Sequence, residues 1–251
     1  MPTSGSETAI RPQRGPRPSW LAVPHRHQRR PPVVTKPIGA SRLSNILGSA
    51  ALLDADLVVD DIRIVRPGAT GEATLFSRRR YPVEDVRPLR LAEVAHHDLG
   101  LAQPVVRRSL LEEHAIRYRA HGRATEDFAF LVDCTSAARH PIALPDVGYI
   151  YMKQANSVSG ASSGFWLDSL SVTAELLRDH RGLDDASQRG LERRMKQAAN
   201  RYHYLSAREA VSRSEHTAAG KRLLSHPGAT GLASGAAVRV LLSRLRRGAK
   251  R

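Results

Sequence analysis

The sequence predicts an α/β layer followed by a helical C-terminal region, and three observations carry that reading. The run Asp54-Ala-Asp-Leu-Val-Val-Asp-Asp-Ile-Arg-Ile-Val follows a helical pattern beginning near Ser41 and has the apolar character of a buried strand. A second extended run, Ile142 to Tyr151 with Val147-Gly-Tyr-Ile-Tyr inside it, again follows a helical pattern. From Ser163 onward only helical periodicity remains. Alternating helix and strand signals argue for a layered α/β unit, and the purely helical end argues for an appendage to it. The boundaries read as a basic tail over residues 1–39, an incomplete α/β domain over 40–162 and a helical region over 163–251.

A chain of 251 residues with 41% apolar composition can bury a core of domain size, which excludes a protein disordered throughout. Its formal net charge of +15 and pI near 11.0 attract phosphates of any kind, whether on nucleic acid, anionic lipid or a nucleotide-linked substrate. Cys134 is the single cysteine, so a disulfide framework and a cysteine metal cluster are excluded and a reducing compartment fits; its plain reading is a small buried helix residue. No apolar run approaches the roughly 20 residues that span a bilayer, and the N-terminus lacks an apolar signal region. The expected location is cytoplasmic, or peripheral at the inner face of the plasma membrane.

Residues 1–39 set Arg11, Arg14, Arg17, Arg26, Arg29 and Arg30 against Glu7, a composition that cannot offset chain entropy by burial, so disorder is expected there. A basic arm touching nucleic acid or membrane and a simple solvated tail are both open readings. Without aromatic interleaving or a recognition motif, nucleic acid is not an expected partner. From Ser41, the residues Leu43, Ile46, Leu47, Ala50 and Ala51 recur at helical spacing and lead into the first strand. Asp54 and Asp56 stand before that strand, and Asp60 and Asp61 are placed at its end. Pro67-Gly68 marks a turn, and Glu72 to Phe76 reads as a short strand. A short helix from Leu91 to Asp98 carries His96 and His97, which project in different directions and make a poor shared metal site. Leu101 to Val106 then leads into a helix from Arg107 to His114, with Leu110 and Leu111 turned inward.

Thr125-Glu126-Asp127 opens the next helix. The Thr125 hydroxyl is expected to cap it, and Glu126 and Asp127 then occupy the first turn, where free amides and the helix dipole favour carboxylates. Phe128, Leu131, Val132 and Thr135 recur behind them, so one face is expected to be buried while the acidic end points out of the body. A carboxylate so placed is suited to accepting a proton. After His140-Pro141 comes the second strand, and Lys153, Asn156, Ser157 and Ser159 come after it on a polar loop. Gly182 closes a helix spanning Phe165 to His180, Asp184 and Asp185 open one reaching about Glu209, and Pro227-Gly228 breaks the shorter helical pieces beyond it. Trp166, Tyr202 and Tyr204 read either as core packing or as a sugar-stacking set. The segment from Ala236 to Arg247 gathers Val238, Leu241, Leu242 and Leu245 on one side and arginines elsewhere, so it can lie on anionic lipid or dock on the protein's own body.

The order VVRRSLLEEHAIRY, then TED, then an apolar helix, then YIYMKQANSVS resembles the acceptor half of inverting family 2 glycosyltransferases of the GT-A type. The resemblance extends more weakly from about Asp54 to about Asp179 and implies a partial GT-A-like, nucleotide-diphospho-sugar transferase α/β layer. It implies that Asp127 is the catalytic base, that Glu126 shapes the site or orients the acceptor, and that Lys153, Asn156 and Ser157 lie near the substrate. It also implies a nucleotide-sugar donor, a glycan or lipid-linked acceptor and a divalent metal, Mg²⁺ or Mn²⁺. Asp54-Ala55-Asp56 spells the DxD with which the family holds that metal, and hard oxygen ligands suit it. Its position relative to TED and to the preceding helix argues against that role, and strand-flanking acids are the alternative. The Q-x-x-R-W signature of processive members is missing, which implies single addition. Nothing between Met1 and Ser41 reads as the strand-loop-strand that binds nucleotide in the family, so the expectation is an acceptor-side half with the donor half missing. The competing expectation is a catalytically silent relative acting as a binding or scaffold module.

Overall fold

A computed structural model describes residues 20–22, 41–65, 73–119, 125–152 and 162–235. The Pro67-Gly68 turn, the loop bearing Lys153, Asn156 and Ser157, and the basic segment 236–247 lie outside the described residues.

The protein is a mixed α/β layer continued by a helical C-terminal region. In chain order its elements are β1 (Trp20–Ala22), α1 (Arg42–Leu52), β2 (Leu57–Val65), β3 (Ala73–Thr74), α2 (Leu75–Arg79), β4 (Arg87–Pro88), α3 (Leu91–His97), β5 (Val105–Arg107), α4 (Arg108–Glu113), α5 (Glu126–Ala137), β6 (Pro141–Met152), α6 (Ser163–Asp179), α7 (Asp185–Ser212) and α8 (His216–Leu224). The sheet runs β1-β5-β2-β6-β4, with β3 on β2. Among the described strands only β2 and β6 are parallel, pairing from Leu57↔Pro141 to Val65↔Met152 with two register shifts. Because β6 takes one edge of β2 along its whole length, β5 and β3 share the other, pairing at Leu57–Val58 and at Arg63–Ile64.

Successive strand residues face opposite sides of a sheet, and β2 uses both. Val58 packs with Ile46 and Ala50 of α1, while Leu57 and Val59 join the larger core with Val94, Leu131 and Leu191. The sheet is therefore covered by α1 on one face and by the α3–α7 group on the other, and a strand buried on both faces can be continuously apolar. Asp60 and Asp61 interrupt that run in mid-strand and are buried, not placed at its end. At this point β6 bulges, with Asp60 opposite Leu144, Asp61 opposite Val147 and Ile62 opposite Tyr149. A bulge bends its strand and locally disrupts the ladder.

Three further expectations are corrected. Glu72 to Phe76 is not one strand: Ala73–Thr74 pairs with β2 and a helix begins at Leu75, because Thr74 and Ser77 cap each other reciprocally at 3.2 and 3.1 Å. Trp20–Ala22, inside the tail expected to be disordered, forms an edge strand whose Ala22 stands opposite Val105. The inner face of α1 is Arg42, Ile46 and Ala50, and Leu43 is 39% exposed, because Arg42 turns inward to reach Asp60. The break expected at Pro227-Gly228 is present: α8 ends at Leu224, and Pro227 opens a separate piece over residues 227–235, since the first helical position needs no amide hydrogen.

The remaining helices match the sequence reading. Gly182 takes a φ of +99°, and Asp184 caps α7 by accepting from the amides of Ala186 and Ser187, both at 2.9 Å. The Glu209 carboxylate of α7 accepts from the Ser163 amide at 2.9 Å and so caps α6 across the helix pair. No helix among the described residues is long and apolar enough to cross a membrane.

Candidate functional site

α5 runs from Glu126 with Phe128, Ala129, Leu131, Val132 and Cys134 buried, so the helix is fixed against the larger core. Its N-terminus differs from the expectation in two ways. Thr125 makes no side-chain cap, and its buried Oγ1 has no hydrogen-bond partner. Glu126 and Asp127 do not stand out in solvent but are half-buried, with one oxygen of each carboxylate closed off from water.

The group that meets them is Tyr118. Its phenol lies close to the Asp127 carboxylate, and its ring stacks on Phe130 at 4.4 Å and 5°. Burial first, and then the Asp127 charge, pushes the Tyr118 phenol far above its ordinary pKa, so it stays a donor at any physiological pH. The next residue is a clamp: Arg119 reaches Asp179 at 2.9 Å, Glu175 at 3.3 Å and Asp133 at 3.4 Å, and His180 Nε2 meets Asp133 at 2.8 Å. The clamp ties the chain before α5 to α5 and α6, and thereby fixes the phenol.

Behind the first turn, the Arg194 guanidinium of α7 lies 3.6 Å over the Phe128 ring and is paired with Asp98, which Arg79 also holds at 2.8 Å. Burial lowers the proton affinity of Arg194 while Asp98 raises it. The backbone at Gly100 comes so close that a Cβ there would stand 2.6 Å from Phe128 Cβ. The acidic turn is thus seated on a packed support.

Asp54 and Asp56 do other work. Asp54 sits at φ +47°, is 76% exposed and pairs with Arg107 at 2.9 Å, a hydrogen bond that lowers its carboxyl pKa. Asp56 accepts from the amides of Arg139 at 2.8 Å and His140 at 3.0 Å, pinning the link between α5 and β6 to the start of β2. With both Asp56 oxygens turned to the backbone, the pair does not fit a metal, and the described residues contain no other group of three acids, histidines or cysteines that does. His96 and His97 also part company: His97 Nδ1 donates to the Arg79 carbonyl at 2.9 Å, and His96 meets Arg193. Trp166 and Tyr202, with Tyr204, are half-buried; the ring partners of Trp166 are Phe165 at 5.3 Å and the Arg201 guanidinium at 5.9 Å.

A second polar feature was not anticipated. Arg42 binds Asp60 through two hydrogen bonds of 2.7 Å and gives a third, of 2.9 Å, to the Gln103 carbonyl. Gly148 at the bulge makes room for it, since a Cβ there would stand 2.4 Å from Arg42 Cγ. A cavity of about 300 Å³ opens here, bordered by Asn45, Arg63 and Asp146. Burial raises the Asp60 pKa even against Arg42. An arginine at the first turn of a helix and an aspartate inside an apolar strand are the sequence signals, and neither says that the two meet. Tyr118 closes the segment before TED, but nothing in its spacing marks it as the partner of Asp127.

Comparison with protein-family models finds no match, and none is found among curated proteins. Among solved structures the chain is similar to S. aureus TarS residues 1–349, at 15% identity over 68% of this chain and 45% of that one, with a TM-score of 0.43. The same TarS segment in complex with UDP-GlcNAc gives 14% identity, 74% and 54% coverage and a TM-score of 0.44. A third TarS structure gives 13% identity, 64% and 25% coverage and a TM-score of 0.41. The chain thus spans about half the length of TarS 1–349. A likeness at this level assigns no activity.

Proposed function

We propose that the chain is a glycosyltransferase-like protein in which Asp127 takes the proton from an acceptor hydroxyl as that oxygen displaces the nucleoside diphosphate of a nucleotide sugar, with inversion at the sugar carbon. The observation that supports it is the half-buried Asp127 carboxylate beside the Tyr118 phenol at the N-terminus of α5, inside the same order of segments that resembles family 2 glycosyltransferases. The phenol packs beside the carboxylate and limits where it can turn. Glu126, beside it in the first turn, supports the acceptor. Lys153, Asn156 and Ser157 on the loop after β6 contact substrate in this reading. A divalent ion accompanies the donor diphosphate; Asp54 and Asp56 do not hold it.

A second reading is a silent relative that binds without turning over. It is favoured by the cavity beside Arg42, which is lined by neither Glu126 nor Asp127. Nucleotide-sugar hydrolysis and transfer, followed by release of nucleoside diphosphate over a panel that includes UDP-GlcNAc with and without Mg²⁺ or Mn²⁺, separates the two. Turnover that falls in Asp127→Asn and in Tyr118→Phe is the expected result. Turnover indifferent to Asp127→Asn removes the assigned base, and absence of turnover with retained saturable binding establishes the silent reading.

A further inference from the structure

The crossing of α3 and α7 holds a groove that the Asp127 site does not use. At Gly190 the two helices approach so closely that a Cβ would stand 3.0 Å from Ala95 Cβ and 3.4 Å from the Ala92 carbonyl oxygen. Small residues at a crossing leave the longer side chains on either side as walls. The space between them is a cavity of about 680 Å³, floored by Ala92, Ala186 and Gly190 and walled by basic side chains. That volume lies in the usual range of small-molecule sites, about 300–1,000 Å³.

The charges around it are unbalanced. Of the two carboxylates on its border, Glu93 is held by Arg87 and the Arg90 amide, and Glu192 accepts from Gln188 at 2.8 Å. Among the described residues, Arg189 has only the exposed Asp185 as an ion-pair partner, at 3.6 Å. Arg193 gives a hydrogen bond of 2.9 Å to His96 Nδ1, an interaction that uses a lone pair but neutralises no charge. Burial, with His97 and Arg193 adding to it, lowers the His96 pKa, so the ring stays neutral as an acceptor. Lys196, also exposed on the border, has no ion-pair partner among the described residues. Three cations at positions i, i+4 and i+7 of one helix face therefore share a groove in which Glu192 is the one carboxylate not held by a cation.

We infer that this groove binds a phosphate-bearing ligand, with an oligophosphate held among Arg189, Arg193 and Lys196 and the uncharged remainder lying on the small-residue floor. Clustered cations of this kind match several negative charges held close together better than they match a single carboxylate. The same chemistry is presented by a free oligophosphate and by a phosphorylated lipid headgroup. The inference does not rest on Asp127, and binding in Asp127→Asn is expected to equal that of the unchanged chain.

The test titrates the full chain with inorganic pyrophosphate by calorimetry, and separately co-sediments it with phosphatidylcholine vesicles containing phosphatidylinositol bisphosphate. The variants are Arg193→Ala with Lys196→Ala, which removes two exposed charges, and Ala186→Trp, which fills the groove and leaves every charge in place. Arg208→Ala, on the same helix outside the groove, is the charge control. Saturable binding that weakens by about tenfold or more in both groove variants, the scale of a lost hydrogen bond to a charged group, and that persists in the control supports the site. Binding in the pyrophosphate arm assigns a free ligand, and binding confined to vesicles assigns a headgroup. Equal loss in Arg208→Ala, or full retention in Ala186→Trp, shows diffuse attraction to a basic surface and overturns the inference, as does the absence of saturable binding in both arms.

Discussion

Asp54-Ala-Asp56 and Glu126-Asp127 are both acidic pairs at the start of a regular element, and by composition alone they are near equivalents. The fold treats them oppositely. Asp56 spends both oxygens on the amides of Arg139 and His140, and Asp54 faces water against Arg107. Asp127 is half-buried against a phenol, beside a threonine hydroxyl that no hydrogen-bond partner reaches. A carboxylate saturated by backbone amides joins pieces of chain and has little left to offer a substrate. One seated beside a phenol at a helix end is placed to meet a substrate instead.

The largest effect that can break this comparison is catalytic. If the proposed transfer holds, Asp127→Asn is expected to lower turnover by roughly 10²- to 10⁴-fold, the typical contribution of a positioned general base, with the melting temperature little changed. Glu126→Gln should cost less. A loss of turnover in Asp56→Asn as deep as in Asp127→Asn would show that the two pairs had been assigned the wrong way round.

Next in size is a purely structural effect. Arg42→Met leaves Asp60 charged inside the sheet and is expected to destabilise the fold by about 3–5 kcal/mol, measured by urea unfolding at neutral pH. Burial already raises the Asp60 pKa, so an acid of this kind favours folding in its protonated form and its penalty grows as pH climbs through the folded value. The destabilisation in Arg42→Met should therefore shrink as pH is lowered, and Asp60→Asn in the same chain should recover part of it. A loss that does not vary with pH would mean that packing beside Gly148, not charge, sets the cost.

Asp56→Ala removes both acceptors from the α5–β6 link and is expected to cost about 1–3 kcal/mol without altering ligand binding, which sharpens the contrast with Asp127. The smallest effect is at a cap: Asp184→Ala should cost about 1 kcal/mol. Hydrogen bonds from Ser187 lower the Asp184 pKa below its ordinary 3.8, so the carboxylate stabilises the fold above that value, and the contribution is lost as pH falls from 3.8 through the folded pKa. The difference between Asp184→Ala and the unchanged chain should thus close on acidification.

How much of the fold is legible in the sequence depends on which forces are local. Helix periodicity places α3, α5, α6 and α7 within a few residues, and the capping chemistry at Gly182 and Asp184 is visible in three consecutive residues. The strands β2 and β6 are legible as apolar extended runs, whereas their parallel pairing is set by partners far apart in the chain. Leu75 and Phe76 read as strand because the deciding event, the mutual cap of Thr74 and Ser77, depends on two hydroxyls that suit a turn equally well. Trp20–Ala22 escapes a sequence reading because a three-residue edge strand exists only through its partner β5. At the site, the acids can be named but their neighbours cannot. Tyr118, Arg119 and Arg194 reach α5 from separate parts of the chain, and no spacing along the sequence encodes that meeting.

Cys134 has been only a filler of the core so far, fully buried on α5 about two turns behind Asp127. Its consequence is experimental. As the single thiol in the chain, with burial raising its pKa far above the ordinary range, it is closed to alkylating reagents while α5 stays seated. Its labelling rate therefore counts the moments at which that helix lifts off the sheet, and where reclosing is fast it converts to an opening free energy for α5 itself. The unmodified protein thus carries a clock for the element that presents Asp127, readable by mass spectrometry and without any added probe.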